Sequence, residues 1–488
     1  MMTELPVPQT LEEACVLLRV LWEEIVALRA ENARLRAENA RLQERVQVLE
    51  ARLGQNSSNS SRPPSSDPPQ APPAAQRGPS GRRPGGQPGH QAHQRTLLPV
   101  EQVDAVVDHW PTVCGHCQRP LPADPALAVA EPVRHQVTEL PPVRAEVTEH
   151  RLHRVRCPGC GEETRATLPD EVPAGAFGPR LQATVGVLAG RYRLSRREVV
   201  GVCEDVLGAP ISVGSVDQLC QATAAALAAP MAELTAAVPA AAVAYADETA
   251  WHQAGKRRWL WVVVTALVTV FTVATSRGSR VIKGLLGEDF GGRLVSDRWS
   301  AYTWLPVEQR QVCWSHLKRD FQALVDWGGA ARPVGKAGLE LMDQVFDAWH
   351  QARADPAGRA QLVQTIDPIQ RQFRTLLEAG TESRALKAAG LCRALLKVWP
   401  ALWTFVTVPG VEPTNNAAER AIRPAVLWRR GSFGCQSDGG AQFVERLLSV
   451  AATCKQQQRS LLAYLTAVCA AAQRGQPTPS LLPLTQGS

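Results

Sequence analysis

Lysine is scarce in this chain. Of its 53 basic residues only seven are Lys, the other 46 being Arg, and no Lys precedes Lys256. The bias fits a GC-rich coding sequence. Arg is the better phosphate fork, but the bias alone does not show that use. Long apolar runs are missing too. The uncharged stretch from Trp259 to Thr275 is short for a membrane span. It is rich in β-branched residues, which suits two successive buried strands. The N-terminal MMTELPVPQTLEEA has neither a basic nor an apolar signal region. These absences lead to the expectation of a soluble, intracellular protein with no membrane partner. Of 12 Cys, four form two CxxC pairs. The other eight are scattered, which suits reduced core thiols better than a disulfide framework.

What is present is bulk. The 488 residues are 45% hydrophobic and 20% charged, so most of the chain can bury a core, in about three domains of roughly 100–200 residues. The net charge of +7 weakly favours a polyanionic partner.

Residues 11–53 carry a heptad. Leu21, Leu28, Leu35, Leu42 and Leu49 fall seven apart, and Leu18, Ile25, Asn32, Asn39, Val46 and Leu53 fill the other seam position. Leu at d with Asn at two a positions points to a parallel dimeric coiled coil, since each buried amide is satisfied by its mate only in register. Residues 54–96 are rich in Pro, Ser, Gly and Gln and cannot bury a core, so they read as a linker. Residues 55–95 hold five Arg against one Asp, giving +4. Such an arm can neutralise phosphates or serve as a spacer.

Residues 97–172 hold Cys114-Gly-His-Cys117 and Cys157-Pro-Gly-Cys160. Two such knuckles offer four thiolates for structural, tetrahedral Zn²⁺. The 39-residue gap between them exceeds the usual ribbon spacing, and the alternation of Arg144–Arg156 reads as a strand that could fill it. A redox CxxC, or ligation by His116, His150 or His153, remains open. Four sulfurs leave no open position for catalysis. Residues 176–236 read as helical. Ser195 can cap one helix, over Glu198–Leu207, and Ser212 a second. A helix-turn-helix would put Ser212, Ser215 and Gln218 towards a DNA groove, with Arg196 and Arg197 nearby. A helical hairpin without DNA remains open, since the second helix lacks Arg and Lys.

From residue 240 the pattern turns to strands. Ala242–Thr249 contains Asp247 and Glu248. Arg257–Thr275 supplies two strands, Ser279–Gly287 a helix, and Arg293–Asp297 a strand with an acid at its end. Asp247 and Glu248 face opposite sides of a strand, so one of them joins any shared site. Two strand-end Asp make the hard, oxygen-rich pocket that Mg²⁺ prefers. The third element is Pro413-Thr-Asn415-Asn416-Ala-Ala-Glu419-Arg420-Ala-Ile-Arg423-Pro424. On a helix, Asn415, Asn416, Glu419 and Arg423 share a face. Locally, Asn416-x-x-Glu419 also fits a capping box. Glu445 is the fallback third acid.

Together these motifs resemble the insertion-sequence-sixty-six family of transposases. The resemblance lies in Tyr-Ala-Asp247-Glu-Thr, Val-Ser-Asp297-Arg-Trp-Ser-Ala-Tyr and Asn-Asn-Ala-Ala-Glu419-Arg-Ala-Ile-Arg. The zipper, the Asn-Ser-Ser-Asn-Ser-Ser-Arg-Pro-Pro-Ser-Ser-Asp67 segment, Arg83–His90, the double CxxC, Cys313-Trp-Ser-His316 and Ser449–Lys455 extend it nearly end to end. Two positions depart from the pattern. Thr414 stands where an Asp often precedes the Asn pair, and Arg429-Arg430-Gly-Ser432 stands where Arg-Lys-Asn is common.

The resemblance implies a multidomain α/β protein. Its RNase H-like core (240–313 and 409–475) would be split by a helical insertion (314–408) and followed by a tail (476–488). It implies DDE chemistry with Asp247, Asp297 and Glu419 holding two Mg²⁺ (or Mn²⁺) ions, one activating the nucleophile and the other stabilising the leaving oxygen. His316, Asn415 and Asn416 would assist. Arg420, Arg423, Arg429 and Arg430 would contact phosphates. Implied partners are the element's terminal inverted repeats, target DNA, a second copy of the chain and small accessory proteins, in a bacterial cytoplasm at the nucleoid. Two rivals stand beside this reading: a DNA-binding regulator on an inactive core, and a structure-specific nuclease of the same fold.

Overall fold

The computed structural model describes residues 7–56, 59, 95–354 and 358–482. Most of the Pro-rich arm lies outside them, including the Arg83–His90 motif, as does the end of the tail. The heptad segment forms one continuous helix, α1 (Leu11–Leu53). It has no Gly or Pro to stop it before Gly54. Its seam residues Leu28, Leu35, Leu42 and Leu49 are exposed in the single chain.

The CxxC region is sparsely structured. Its strands β1 (Arg154–Arg156) and β2 (Glu163–Arg165) pair as an antiparallel hairpin. The long strand expected over Arg144–Arg156 is reduced to its last three residues. Alternation alone does not make a strand, because extended backbone needs a ladder partner, and only β2 supplies one. No residue between 95 and 170 is buried.

A helical layer follows. Helix α2 (Pro179–Gly186) runs into a π-helical turn at Val187–Arg191, and α3 (Arg196–Asp205), α4 (Val213–Ala226) and α5 (Ala228–Ala237) succeed it. Ser195 closes a full capping box with Glu198, and the Ser212 hydroxyl accepts from Ser215 N at 3.1 Å. No single helix among the described residues is long and apolar enough to cross a membrane. The apolar pair α4 and α5 is bent by 43° and buries Leu219, Cys220, Leu227 and Leu234 in the core.

The central sheet contains β3 (Val243–Gln253), β4 (Lys256–Thr265), β5 (Thr269–Ala274), β6 (Arg293–Ser296) and β7 (Arg310–Val312), in the order β5-β4-β3-β6-β7. The β3–β4 and β4–β5 pairs are antiparallel, whereas β3–β6 and β6–β7 are parallel. Ala254 and Gly255, with φ of 49° and 71°, form the two-residue turn between β3 and β4. Helix α6 (Ser279–Leu286) makes the crossover to β6.

Helices α7 (Trp314–Trp327), α8 (Arg332–Ala354), α9 (Gly358–Thr381), α10 (Leu386–Lys397) and α11 (Trp399–Thr407) fill the stretch between β7 and the third acid. They have their own core of Trp314, Phe321, Phe373, Trp403 and Phe405. This unit is pinned to the edge strand. The Gln311 amide donates to Leu402 O and accepts from Phe405 N, at 3.2 and 2.8 Å. The Trp314 indole donates to Leu402 O at 2.7 Å. The chain then returns to the sheet through α12 (Asn416–Ser432), α13 (Asp438–Gln456) and α14 (Leu461–Gln473).

Helix α13 covers the other sheet edge. Glu445, Ser449 and Thr453, four apart, accept from the backbone N–H groups of Val273, Phe271 and Thr269. One face of a helix thus satisfies the alternate donors of an edge strand.

Candidate active site

Asp247 sits inside β3 rather than at its end, because β3 continues to Gln253 as the partner of β4. The parallel pairing is shorter. It sets Val243 opposite Arg293 and Tyr245 opposite Val295. Carried two residues further, that register brings Asp247 level with Asp297, just past β6. The two acids therefore meet where the parallel ladder opens.

Glu248 goes to the other side. Its carboxylate is buried, accepts from Arg277 Nε at 2.8 Å and also accepts from the Tyr302 hydroxyl. Among the described residues, the Asp247 carboxylate accepts only from the Glu248 backbone N–H, at 2.9 Å. Burial, then the charges of Glu248, Asp297 and Glu419, hold the Asp247 carboxyl well above the usual carboxylate range. Asp297 Oδ1 accepts from Trp299 N at 2.9 Å.

Glu419 arrives on the first turn of α12. The helix begins at Asn416, so Asn416 is its first residue and not the N-cap that an Asn416-x-x-Glu419 capping box requires, and Asn415 at the N-cap makes no side-chain capping bond. The Asn415 amide instead donates to Ala246 O, beside Asp247, at 2.8 Å, and its backbone N–H reaches Cys313 Sγ at 3.2 Å. Trp314 N donates to Pro413 O and Cys313 N to Ser296 O, both at 2.9 Å. The Pro413–Asn415 turn is thereby stitched to β3 and to the start of α7, and the adjoining Cys313 to the end of β6.

Around Glu419, Oε1 lies 3.6 Å from His316 Nδ1 and Oε2 lies 4.0 Å from Arg319 Nη2. Ligand atoms of Cys313, His316 and Glu419 fall within 4.8 Å of one another. Yet among the described residues His316 Nδ1, Glu419 Oε1 and Asn415 Oδ1, all buried, find no hydrogen-bond partner. A separation of 3.6 Å is too long for a hydrogen bond, and an orphaned buried polar atom costs about 1–3 kcal/mol. Cys313 offers a neutral thiol, because burial and then Glu419 push its pKa up to about 12. Carboxylates with an unsatisfied oxygen are the donors that a hard divalent cation takes, and the neutral Cys313 thiol is not.

The remaining expected residues divide. Arg429 is half-buried and its guanidinium is spent on β3, donating to Thr249 Oγ1 at 3.1 Å and to Ala250 O. Arg420, Arg423 and Arg430 are exposed on α12, and Asn416 is half-buried at its start. Glu445 is occupied at the β5 edge and does not join the three acids. Arg196 is tied to Asp217 at 3.2 Å and lies over Phe443, which joins α3 to α4 and α13. Arg197 and Gln218 are exposed, and the Ser212 and Ser215 hydroxyls lie 2.9 Å apart. Sequence reasoning missed Tyr302, Arg277 and Arg319. Tyr302 ends the quoted Asp297 motif and could have been found there. Arg277 and Arg319 carry no local signal.

Both CxxC knuckles are formed. Cys114 N donates to Arg119 O and Cys157 N to Glu162 O, each at 2.8 Å. Backbone donors from Cys117 and His116 lower the Cys114 thiol, and donors from Cys160 and Gly159 lower that of Cys157. Thiols biased towards thiolate suit zinc. The two knuckles are not gathered into one group within 4.8 Å; among the described residues that closeness is found at Cys313, His316 and Glu419.

Comparison with known proteins agrees with this layout. Residues 111–161 match the zinc-finger binding domain of transposase IS66, which supports structural zinc, and residues 3–96 match a family of unknown function (DUF6444). Two proteins of Sinorhizobium fredii, the uncharacterized proteins y4hP and y4qI, are each 27% identical. The first alignment covers 75% of this chain and 72% of y4hP; the second covers 49% of each chain. Residues 174–443, over half the chain and including all three acids, match the model of the transposase IS66 family. The chain belongs to the transposase IS66 family.

Proposed function

We propose that this transposase cuts and joins DNA ends at Asp247, Asp297 and Glu419. One observation carries the reading: the parallel register sets Asp247 on β3 level with Asp297 past β6, and Asn415, bonded to Ala246 O, brings the start of α12 with Glu419 to the same point. The sheet order, with three antiparallel strands followed by two parallel ones, is that expected of an RNase H-like core. Bound Mg²⁺ would activate the attacking oxygen and stabilise the leaving one. The chain supplies the rest. Asn415 fixes the start of α12 against β3, and so aims Glu419. Arg277 and Tyr302 occupy the Glu248 carboxylate, leaving Asp247 as the β3 acid for the metal. His316 and Arg319 flank the Glu419 carboxylate at 3.6 and 4.0 Å, where they can orient it once a metal is bound. Arg420, Arg423 and Arg430 line the same helix, where phosphates approaching the acids would meet them.

The flanking modules fit DNA ends. The α3–α4 pair, with Arg197 and Gln218 exposed, would dock on the terminal repeat. Cys114, Cys117, Cys157 and Cys160 would close on one zinc ion. The exposed leucine seam of α1 would pair with a second copy. Purified protein, Mg²⁺ and DNA carrying the element's terminal inverted repeats test the reading. Joining of repeat ends to a target duplex is expected. Cutting without joining would make the protein a nuclease, and binding without either would make it a regulator.

A further inference from the structure

We propose that the Trp299 indole is a stacking platform for one unpaired nucleobase of the DNA end held at the acids. The proposal rests on the transposase reading of Asp247, Asp297 and Glu419. Trp299 is locked to that site, since its backbone N–H donates to Asp297 Oδ1 at 2.9 Å. Its indole N–H donates to Arg277 O at 3.2 Å. The Arg277 guanidinium lies over the indole, 4.0 Å from the ring centroid. That guanidinium also lies over Trp259 at 4.9 Å, and Arg257 lies over Trp259 at 4.8 Å. Arg257, Trp259, Arg277 and Trp299 form a ladder of alternating cations and rings, and Glu248 anchors it through Arg277 at 2.8 Å.

Trp299 remains 38% exposed at the end of this ladder. Its single polar atom is already paired inside the protein, so it offers a partner only π surface. Nucleobases have such surface on every residue, and stacking on an aromatic ring tolerates any sequence. A ring held at three points loses little freedom on binding. Lys256 and Arg257, exposed where β4 leaves its hairpin, supply charge for phosphates of the same strand. A base inside a duplex has both faces covered, so any base but the terminal one must leave the helix to stack here. The direct bond from Trp299 to Asp297 places it beside the phosphate under attack.

The test uses the full chain and duplexes carrying the terminal repeat, with 5-iodouracil placed at one position at a time around the terminus. Ca²⁺ replaces Mg²⁺ for irradiation, and mass spectrometry locates the adduct. One position should cross-link to Trp299. With Mg²⁺, Trp299→Ala should lower joining by roughly 5- to 150-fold, the range spanned by loss of one stacked base. Trp299→Phe should recover most of it, which a merely space-filling role beside Arg277 would not require. Wild type that joins ends, cross-links elsewhere and never at Trp299, or joins equally well as the Ala variant, would overturn the platform. Wild type that neither cuts nor joins would overturn the transposase reading beneath it.

Discussion

Asp247 and Glu248 are neighbours on one strand, and the pleat sends them to opposite faces. That alternation was legible in the sequence, and the family resemblance pointed to Asp247. What the sequence did not show is that Glu248 is occupied by Arg277 and Tyr302, distant residues. Asn415 makes the same point. The local pattern placed it only on a helix face with Glu419, yet its amide is spent on Ala246 O, a partner 169 positions earlier. Burial there makes the bond costly to lose. Asn415→Ala should destabilise the protein by about 1–3 kcal/mol in chemical denaturation. It should also lower joining by more than the lost stability explains, because Glu419 loses its fixed entry. Full activity in a folded variant would contradict the positioning role.

At the scale of elements, the strongly periodic segments were legible almost to the residue. The heptad became α1, the β-branched run became β4 and β5, and the stretch from 314 became helices closing at Thr407. The strand expected over Arg144–Arg156 fell short because pairing depends on a partner that periodicity does not reveal. The exposed seam of α1 predicts self-association. Asn32→Val should loosen its oligomer specificity, shifting the sedimentation mass distribution; an unchanged distribution would count against a paired zipper. The CxxC module has no buried residue from 95 to 170, so bound zinc would supply much of its order. Chelation should make this region protease-sensitive while the sheet domain keeps its thermal transition. The lowered thiols of Cys114 and Cys157 fix the sign with pH. Zinc takes the thiolate form, and it should be lost as acidification protonates the sulfurs. A chelated module that resists protease would contradict the zinc assignment.

For the whole molecule, the insertion and the sheet work as one device. The third acid lies 122 positions after the second, and the intervening helices have a core of their own. Gln311 and Trp314 pin that core to the edge strand, so the returning chain re-enters beside β3 and places Glu419 near Asp247. Sequence order alone gave the acids as motifs. Their meeting depended on this docking and on the parallel register of β3 and β6. The account is tested most directly by strand transfer with four variants of the full chain. Asp247→Asn, Asp297→Asn and Glu419→Gln should each lower joining by about 10²–10³-fold or more, the scale of losing one preorganised electrostatic group. Glu445→Gln, at the β5 edge, should keep joining while losing some stability. Joining that survives Asp297→Asn or Glu419→Gln, or that fails in a folded Glu445→Gln variant, would contradict the assigned triad.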